Sequence, residues 1–274
     1  MVLDIQIITE ARVMKANIKN KNIVFIPNVD LNDGRNNPYH YSILSWKKWA
    51  EQYNDVEVIE WVDPIMDPST FKITLQRYWV HDILKYNNIE YEQVLLVDAD
   101  TIIHPNCPNF FTETKGKFGV TLNNGCYEWV TRSIKQWGDN LFKDEPKIKP
   151  WEYFNGGFQI TSKKHIPFYK KVQEYYTSNI DKINGLNEQI KAGTDQTIIN
   201  YLTQQNSIDI TYMSEAYNLQ DLFRKNLLHM PGHSWFPDEL RFLESGWVYH
   251  FNAIPQNNRH VSYWMERTYK KLYT

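Results

Sequence analysis

Val94 to Thr101 reads VLLVDADT, an apolar run closed by two carboxylates with a single alanine between them. From Gln93 to Val97 the hydrophobicity is unbroken, which suits a strand buried on both faces of a parallel sheet. In open α/β sheets ligands bind beyond the carboxyl ends of the strands, so Asp98 and Asp100 fall where a ligand is expected. No basic residue neighbours them in sequence, and two such carboxylates repel unless a cation sits between them. A hard divalent ion, Mn2+ or Mg2+, meets that need with oxygen ligands. It would also neutralise a diphosphate and polarise a departing oxygen. The plain alternative is a solvated turn at a strand end.

Working outward from this stretch, strand-like and helix-like segments alternate. Asn22–Ile26 (NIVFI) is a short apolar run ended by Pro27. Tyr39–Tyr53 places Ile43, Leu44, Trp46 and Ala50 near one helical face. Val56–Val62 reads as a strand. Phe71–Tyr86 reads as a helix striped by Leu75, Trp79, Ile83 and Leu84, and Lys117–Leu122 as a further strand. This alternation predicts an α/β fold around a mostly parallel sheet. From Asn123 to Trp151, polar residues, Gly, Pro and Trp mix without period, and a long loop is expected. Phe158–Thr161 then reads as a strand, His165–Tyr176 and Thr194–Leu202 as helices, Gly246–Phe251 as a late strand, and the chain from Val261 onward as a helix.

Composition narrows the function classes. The 274 residues are 42% hydrophobic and 23% charged, with a net charge of -2. That is ordinary for a soluble protein and gives no global pull toward nucleic acid or anionic membrane, so phosphate binding needs a local site. Two cysteines, Cys107 and Cys126, are too few for a disulfide framework and favour a reducing compartment. The opening MVLDIQIITEARVMK lacks the pattern of a signal peptide, and no stretch reaches the roughly 20 apolar residues of a membrane span. A cytoplasmic location is expected, with room for peripheral membrane contact.

Three further motifs carry chemistry. In YFNGGF (Tyr153–Phe158), Asn155, Gly156 and Gly157 can form a turn that brings backbone close to a ligand. In GTDQTIIN (Gly193–Asn200), Thr194 can cap a helix whose first turn holds Asp195 and Gln196, or the segment is simple capping. In WVYHFNAIP (Trp247–Pro255), His250 ends an apolar strand and can join the two carboxylates as a third metal ligand. His229 competes for that role, and either histidine can equally be a hydrogen-bonded core residue.

Taken in order, these four motifs resemble the nucleotide-sugar glycosyltransferases of the GT-A fold. Glycogenin and the bacterial lipopolysaccharide galactosyltransferases (glycosyltransferase family 8) are nearest in pattern. The likeness runs from Asn22 to Met265 as separated motifs. It implies a GT-A type, Rossmann-like single domain over residues 1–274, with a mostly parallel sheet, flanking helices and a small antiparallel part. Residues 22–122 would form the nucleotide-binding half and residues 150–265 the donor-sugar and acceptor half. By resemblance, Asp98 and Asp100 hold Mn2+ (or Mg2+) and the donor diphosphate, and His250 is the third metal ligand. Asn155, Gly156 and Gly157 contact the donor sugar. Asp195 and Gln196, with Asn200, lie beside that sugar as the catalytic pair. Arg77 touches the donor, and Asn28 and Asp30 read the nucleotide base. A UDP-linked sugar donor, a glycan or other hydroxyl acceptor and retention at the anomeric carbon are implied. The family's Lys-Pro-Trp segment after the histidine is replaced by Phe251-Asn252-Ala253, so Arg259 or His260 is expected to supply its cation.

Three rivals carry different predictions. An apolar strand followed by Asp-x-Asp and a threonine also marks haloacid-dehalogenase-type phosphatases, in which Asp98 would be a nucleophile. A non-catalytic sugar or nucleotide binder could keep the same fold. A sugar-nucleotide pyrophosphorylase would want a Gly-rich basic loop, which PNVDLNDGR (Pro27–Arg35) does not supply. The loop from Asn123 to Trp151 and HSWFP, starting at His233, are candidates for shaping an acceptor site or for packing.

Overall fold

The computed structural model describes residues 22–228, 240–255 and 260–274. Eight strands and seven α-helices follow one another as β1 (Asn22–Pro27), α1 (Tyr39–Ala50), β2 (Val56–Trp61), α2 (Ile73–Gln76), α3 (Val80–Tyr86), β3 (Gln93–Val97), β4 (Thr101–Ile103), β5 (Phe118–Leu122), α4 (Tyr127–Leu141), β6 (Phe154–Ser162), α5 (Ile166–Ile190), α6 (Gln196–Gln205), β7 (Ile210–Met213), β8 (Val248–His250) and α7 (Val261–Tyr273), among the described residues. His229, the HSWFP segment and Arg259 lie outside them.

The main sheet has six strands in the order β2-β1-β3-β6-β5-β7. All are parallel except β6, which runs antiparallel to both β3 and β5. A second sheet pairs β4 with β8, antiparallel. The architecture is the GT-A type anticipated from the sequence: a mostly parallel α/β sheet with a small antiparallel companion.

Alternation along the central strands sorts their side chains into two cores, as the two-residue repeat of a strand requires. Ile23, Phe25, Val94 and Leu96 face one, with side chains of α3, α4, α5 and α6. Val24, Ile26, Leu95 and Val97 face the other, with α1, α7, β4 and β8. Burial on both faces is why β1 and β3 read as continuous apolar runs.

Four expectations need correction. The stretch from Asn123 to Trp151 is not a loop, because α4 occupies its centre and buries Val130, Ile134 and Trp137 at helical spacing. The helix expected over residues 71–86 is broken by a 3-10 turn at Arg77–Trp79, after which α3 begins. Buried Gln76 holds that region by accepting from Ile65 N at 2.9 Å and Met66 N at 3.0 Å. The Asn155-Gly156-Gly157 segment is extended strand, the opening of β6, and not a turn. Finally, α5 runs on to Ile190 and ends with Lys191 in the left-handed conformation, φ 52. Among the described residues, no helix is long and apolar enough to cross a membrane.

Candidate metal centre and ligand cleft

The Asp98-Ala99-Asp100 segment is the corner where the chain leaves the large sheet after β3 and enters the small one at β4. Backbone bonds pin both sides of it. Asp98 N donates to Gly157 O at 3.1 Å, and Asp100 O accepts from Phe251 N at 2.8 Å. Thr101 Oγ1 donates to Asp98 O at 2.8 Å and accepts from Trp46 Nε1 at 3.0 Å, tying the corner to α1. The register Thr101↔His250 sets the histidine across from it.

The reversed direction of β6 serves this corner. Its pairing Val97↔Phe158 delivers Asn155, Gly156 and Gly157 to the same edge where β3 ends. Gly157 must lack a side chain, since a methyl there would collide with the Asp98 carboxylate and the His250 ring.

Asp98, Asp100 and His250 each offer one ligand atom within 4.8 Å of the others. His250 Nε2 lies 3.1 Å from Asp100 Oδ1 and 3.6 Å from Asp98 Oδ2. The orientation of the imidazole follows from a chain that starts at a backbone donor. Gly157 N–H donates to Asn155 Oδ1 at 2.8 Å, so that atom is the oxygen. Asn218 Nδ2 donates to the same oxygen at 3.0 Å, which leaves Asn218 Oδ1 to face His250 Nδ1 at 3.0 Å. His250 Nδ1 therefore carries the proton. In the neutral ring the Nε2 lone pair then points at two carboxylates, an arrangement that requires a cation or a proton. Two oxygen donors and an imidazole of fixed tautomer can hold a divalent cation.

Electrostatics agree. Burial opposes a charge on His250, yet the neighbouring Asp100 and Asp98 carboxylates outweigh it and raise the imidazole above its ordinary value. Burial likewise opposes ionisation of Asp100, but His250 holds its carboxyl below the usual range.

Arg77 is the second fixed charge. It leaves the 3-10 turn to bridge Asp98 with Nη1 and Asp195 with Nη2, and only 5% of its side chain is exposed. Asp195 Oδ2 also accepts from Tyr78 Oη at 3.2 Å. Burial works against the guanidinium charge, but Asp195 and Asp98 raise its pKa well above the ordinary value. Gln196 Oε1 accepts from Gly156 N at 3.0 Å and from Asn155 Nδ2 at 3.2 Å. Asn200 brackets β6 by accepting from Phe154 N and donating to Phe154 O, both at 2.9 Å. The N-terminal cap of α6 is Asp195, without a side-chain capping bond, so the expected Thr194 cap does not form.

Around this corner opens a cleft of about 470 Å3. Asp98, Asp100, His250, Arg77, Asn155, Gly157, Asp195 and Gln196 all line it. Gly156 is not among its lining residues but packs against Asp195, Gln196 and Arg77. Asn28 and Asp30 are not brought to the cleft either. Asn28 Nδ2 donates to Glu60 Oε1 at 2.6 Å across β1 and β2, and its Oδ1 accepts from Asn36 at 2.6 Å. Asp30 is exposed and accepts from Asn32 N at 2.8 Å. The cleft wall there is built instead from Pro27, Val29, Leu31, Arg35 and Tyr39. Of the cations expected to replace the missing lysine, His260 precedes α7 and does not line the cleft. Arg224 does line it, donating to buried Asp221 Oδ1 at 2.8 Å.

Asn218, Gln220, Asp221 and Arg224 carry no motif in sequence. They enter through a parallel bridge, Leu219↔Tyr249, that lays their segment beside β8. The signal available in sequence was the alternation of apolar and polar residues over Tyr217, Asn218, Leu219 and Gln220.

Fold and corner together define a GT-A type α/β protein with an acid–acid–histidine group at the carboxyl edge of its sheet. Comparison with solved structures finds a glycosyltransferase involved in the glycosylation of the major capsid of PBCV-1, at 11% identity and a TM-score of 0.53, covering 90% of this chain and 98% of that one. This likeness shows the shared fold. Mouse xyloside xylosyltransferase 1 is 10% identical with a TM-score of 0.48, over 88% of this chain and 99% of that one. The glycosyltransferase GlyE of Streptococcus pneumoniae TIGR4 is 13% identical with a TM-score of 0.39, over 93% of this chain and 62% of that one. No family model matches the sequence, and no curated protein matches it.

Proposed function

We propose that the chain is a glycosyltransferase that moves a sugar from a nucleotide diphosphate sugar, UDP-linked, to the hydroxyl of a glycan or similar acceptor. The observation that carries this reading is the His250 lone pair aimed at two carboxylates, beside the buried Arg77–Asp195 pair, in one cleft. The fold shared with a solved glycosyltransferase supports it. Asp98, Asp100 and His250 would hold Mn2+ or Mg2+, which when bound neutralises the diphosphate and polarises its leaving oxygen. Pattern resemblance to glycosyltransferase family 8 belongs to the same reading.

The chain's own residues then have distinct tasks. Arg77 holds Asp98 and Asp195 in place, and Gln196 positions the Gly156 backbone where the donor sugar would lie. Fixed dipoles and charges of this kind stabilise a departing anion without reorganising. Retention is the outcome that the resemblance implies, and four of the five carboxylates lining the cleft face a charged or titratable side chain. Asp33 closes a turn on Arg35 N, Asp98 and Asp195 bind Arg77, Asp100 faces His250, and Asp221 binds Arg224. An inverting enzyme would use one of them to take the acceptor proton, and exposed Asp33 is the least committed of the five.

A thermal-shift panel of nucleotide sugars with and without Mn2+ tests the reading. A ligand at a hundred times its Kd adds about 2.7 kcal/mol to the native state, which for a chain of this size raises Tm by about 5 °C. A panel in which no nucleotide sugar adds to the effect of Mn2+ alone contradicts it. Anomer analysis of the product by NMR checks retention, and an inverted linkage defeats that part.

A further inference from the structure

The cleft is wider than the metal centre needs, and the topology says what lies at each end. Reading across the carboxyl edge of the sheet, the order is β1, β3, β6, β5. The corner of β3 carries Asp98, the opening of β6 carries Asn155 and Gly157, and the end of β5 leads through Asn123 into α4. The β1 side is therefore on one flank of the metal centre, and α4 on the other. Two strand spacings separate β3 from β5, roughly 10 Å. Under the proposed transfer reading, that leaves room for the donor sugar over β6 and for a second group beyond it.

Trp129 stands at this far end. It lines the cleft, is half-buried, and lies two residues into α4 from Tyr127. Its ring meets Tyr153 edge-on at 6.4 Å, and Tyr153 Oη is bonded to Thr197 Oγ1 at 2.7 Å, so the indole is backed by a fixed wall. The left-handed Gly193, φ 66, lets the segment before α6 lie against Ser133, one turn along α4 from Trp129. This sets the indole beside the Asp195–Gln196 corner. No other lining residue on this flank is aromatic among the described residues. Asn123, 96% buried, also lines the cleft. A flat apolar face beside an amide side chain matches a pyranose, which presents an apolar C–H face and a rim of hydroxyls.

We propose that Trp129 and Asn123 form the acceptor subsite, and that the acceptor is a carbohydrate whose pyranose ring stacks on the Trp129 indole. The inference rests on the transfer reading and adds the residues that would hold a carbohydrate acceptor. It places the nucleoside on the β1 flank, away from Trp129.

Saturation-transfer NMR with methyl glucosides, galactosides, xylosides and N-acetylglucosaminides, in the presence of UDP and Mn2+, tests it on the full chain. At least one glycoside should bind the wild type. Trp129→Ala should weaken it tenfold or more, and Trp129→Phe should keep it within threefold. All three proteins should show the same UDP–Mn2+ thermal shift, which also establishes that the variants are folded. Equal glycoside binding by Trp129→Ala overturns the proposal. So does a lost UDP–Mn2+ shift in Trp129→Ala when Trp129→Phe retains it, because the indole then serves the donor. If no glycoside binds a wild type that does shift with UDP and Mn2+, the carbohydrate acceptor is wrong while the donor reading stands. If the wild type shows no UDP–Mn2+ shift, the transfer reading itself falls.

Discussion

Asn218 Oδ1 accepts the His250 Nδ1 proton at 3.0 Å, and this contact fixes which nitrogen of the imidazole faces the carboxylates of Asp98 and Asp100. Outer partners of this kind are worth about 10–100-fold in metal affinity. Asn218→Leu should therefore weaken Mn2+ binding by that factor, read by electron paramagnetic resonance titration. Unchanged Mn2+ affinity in a folded Asn218→Leu protein would show that the tautomer is set in some other way.

Gly157 and Gly185 should respond to alanine in opposite directions. At Gly157 the added methyl meets the Asp98 carboxylate and the His250 ring. Overpacking of this kind costs about 1–3 kcal/mol, and Mn2+ binding should fall with it. At Gly185, inside α5, the methyl meets nothing within 4 Å. Alanine there should stabilise by about 1 kcal/mol through helix propensity. Urea unfolding of the two variants checks both signs.

Arg77 compensates two carboxylates at once. Arg77→Met leaves Asp98 and Asp195 facing a buried site without their cation, and should destabilise the fold by about 3–5 kcal/mol. Arg77→Lys should not restore the loss, because one ammonium cannot reproduce a guanidinium fork spanning both partners. Recovery of wild-type stability by the lysine variant would contradict this account of the bridge.

His81 supplies a pH dependence. It is 3% exposed, its ring nitrogens lie 2.6 Å from Tyr91 Oη and 3.2 Å from Thr161 Oγ1, and burial pushes its pKa from 6.5 down to about 4. Between those values the unfolded chain holds a proton that the folded chain does not, so stability falls as pH drops from 6.5 toward 4. The contribution is intact above 6.5. Burial lowers His165 to about 4 as well, so the two histidines act in the same direction. Urea midpoints between pH 7 and pH 5 should fall for the wild type, and less steeply for His81→Gln.

What could be read in the sequence followed from patterns that are local. The apolar runs of β1 and β3 show because both their faces are buried; Asp98 and Asp100 show because they follow the apolar run of β3, and His250 because it ends β8. What stayed hidden depends on long-range contacts. Asn218 reaches Asn155 across 63 positions and His250 across 32. The α4 stripe of Val130, Ile134 and Trp137 was present but diluted by the polar residues around it and by Gly138, whose small size is demanded by Tyr201 and Lys147. The place of Asn28 is equally hidden, because the pairing of β1 with β2, invisible locally, turns its amide toward Glu60.

The most direct test is a Mn2+ titration by electron paramagnetic resonance, with and without UDP, on the wild type, Asp98→Asn and Asp100→Asn. The wild type should immobilise one Mn2+ per chain, more tightly with UDP present, and both variants should lose that binding while keeping their fold. Wild-type Mn2+ affinity retained in either variant would contradict a cation held at the Asp98–Asp100–His250 corner.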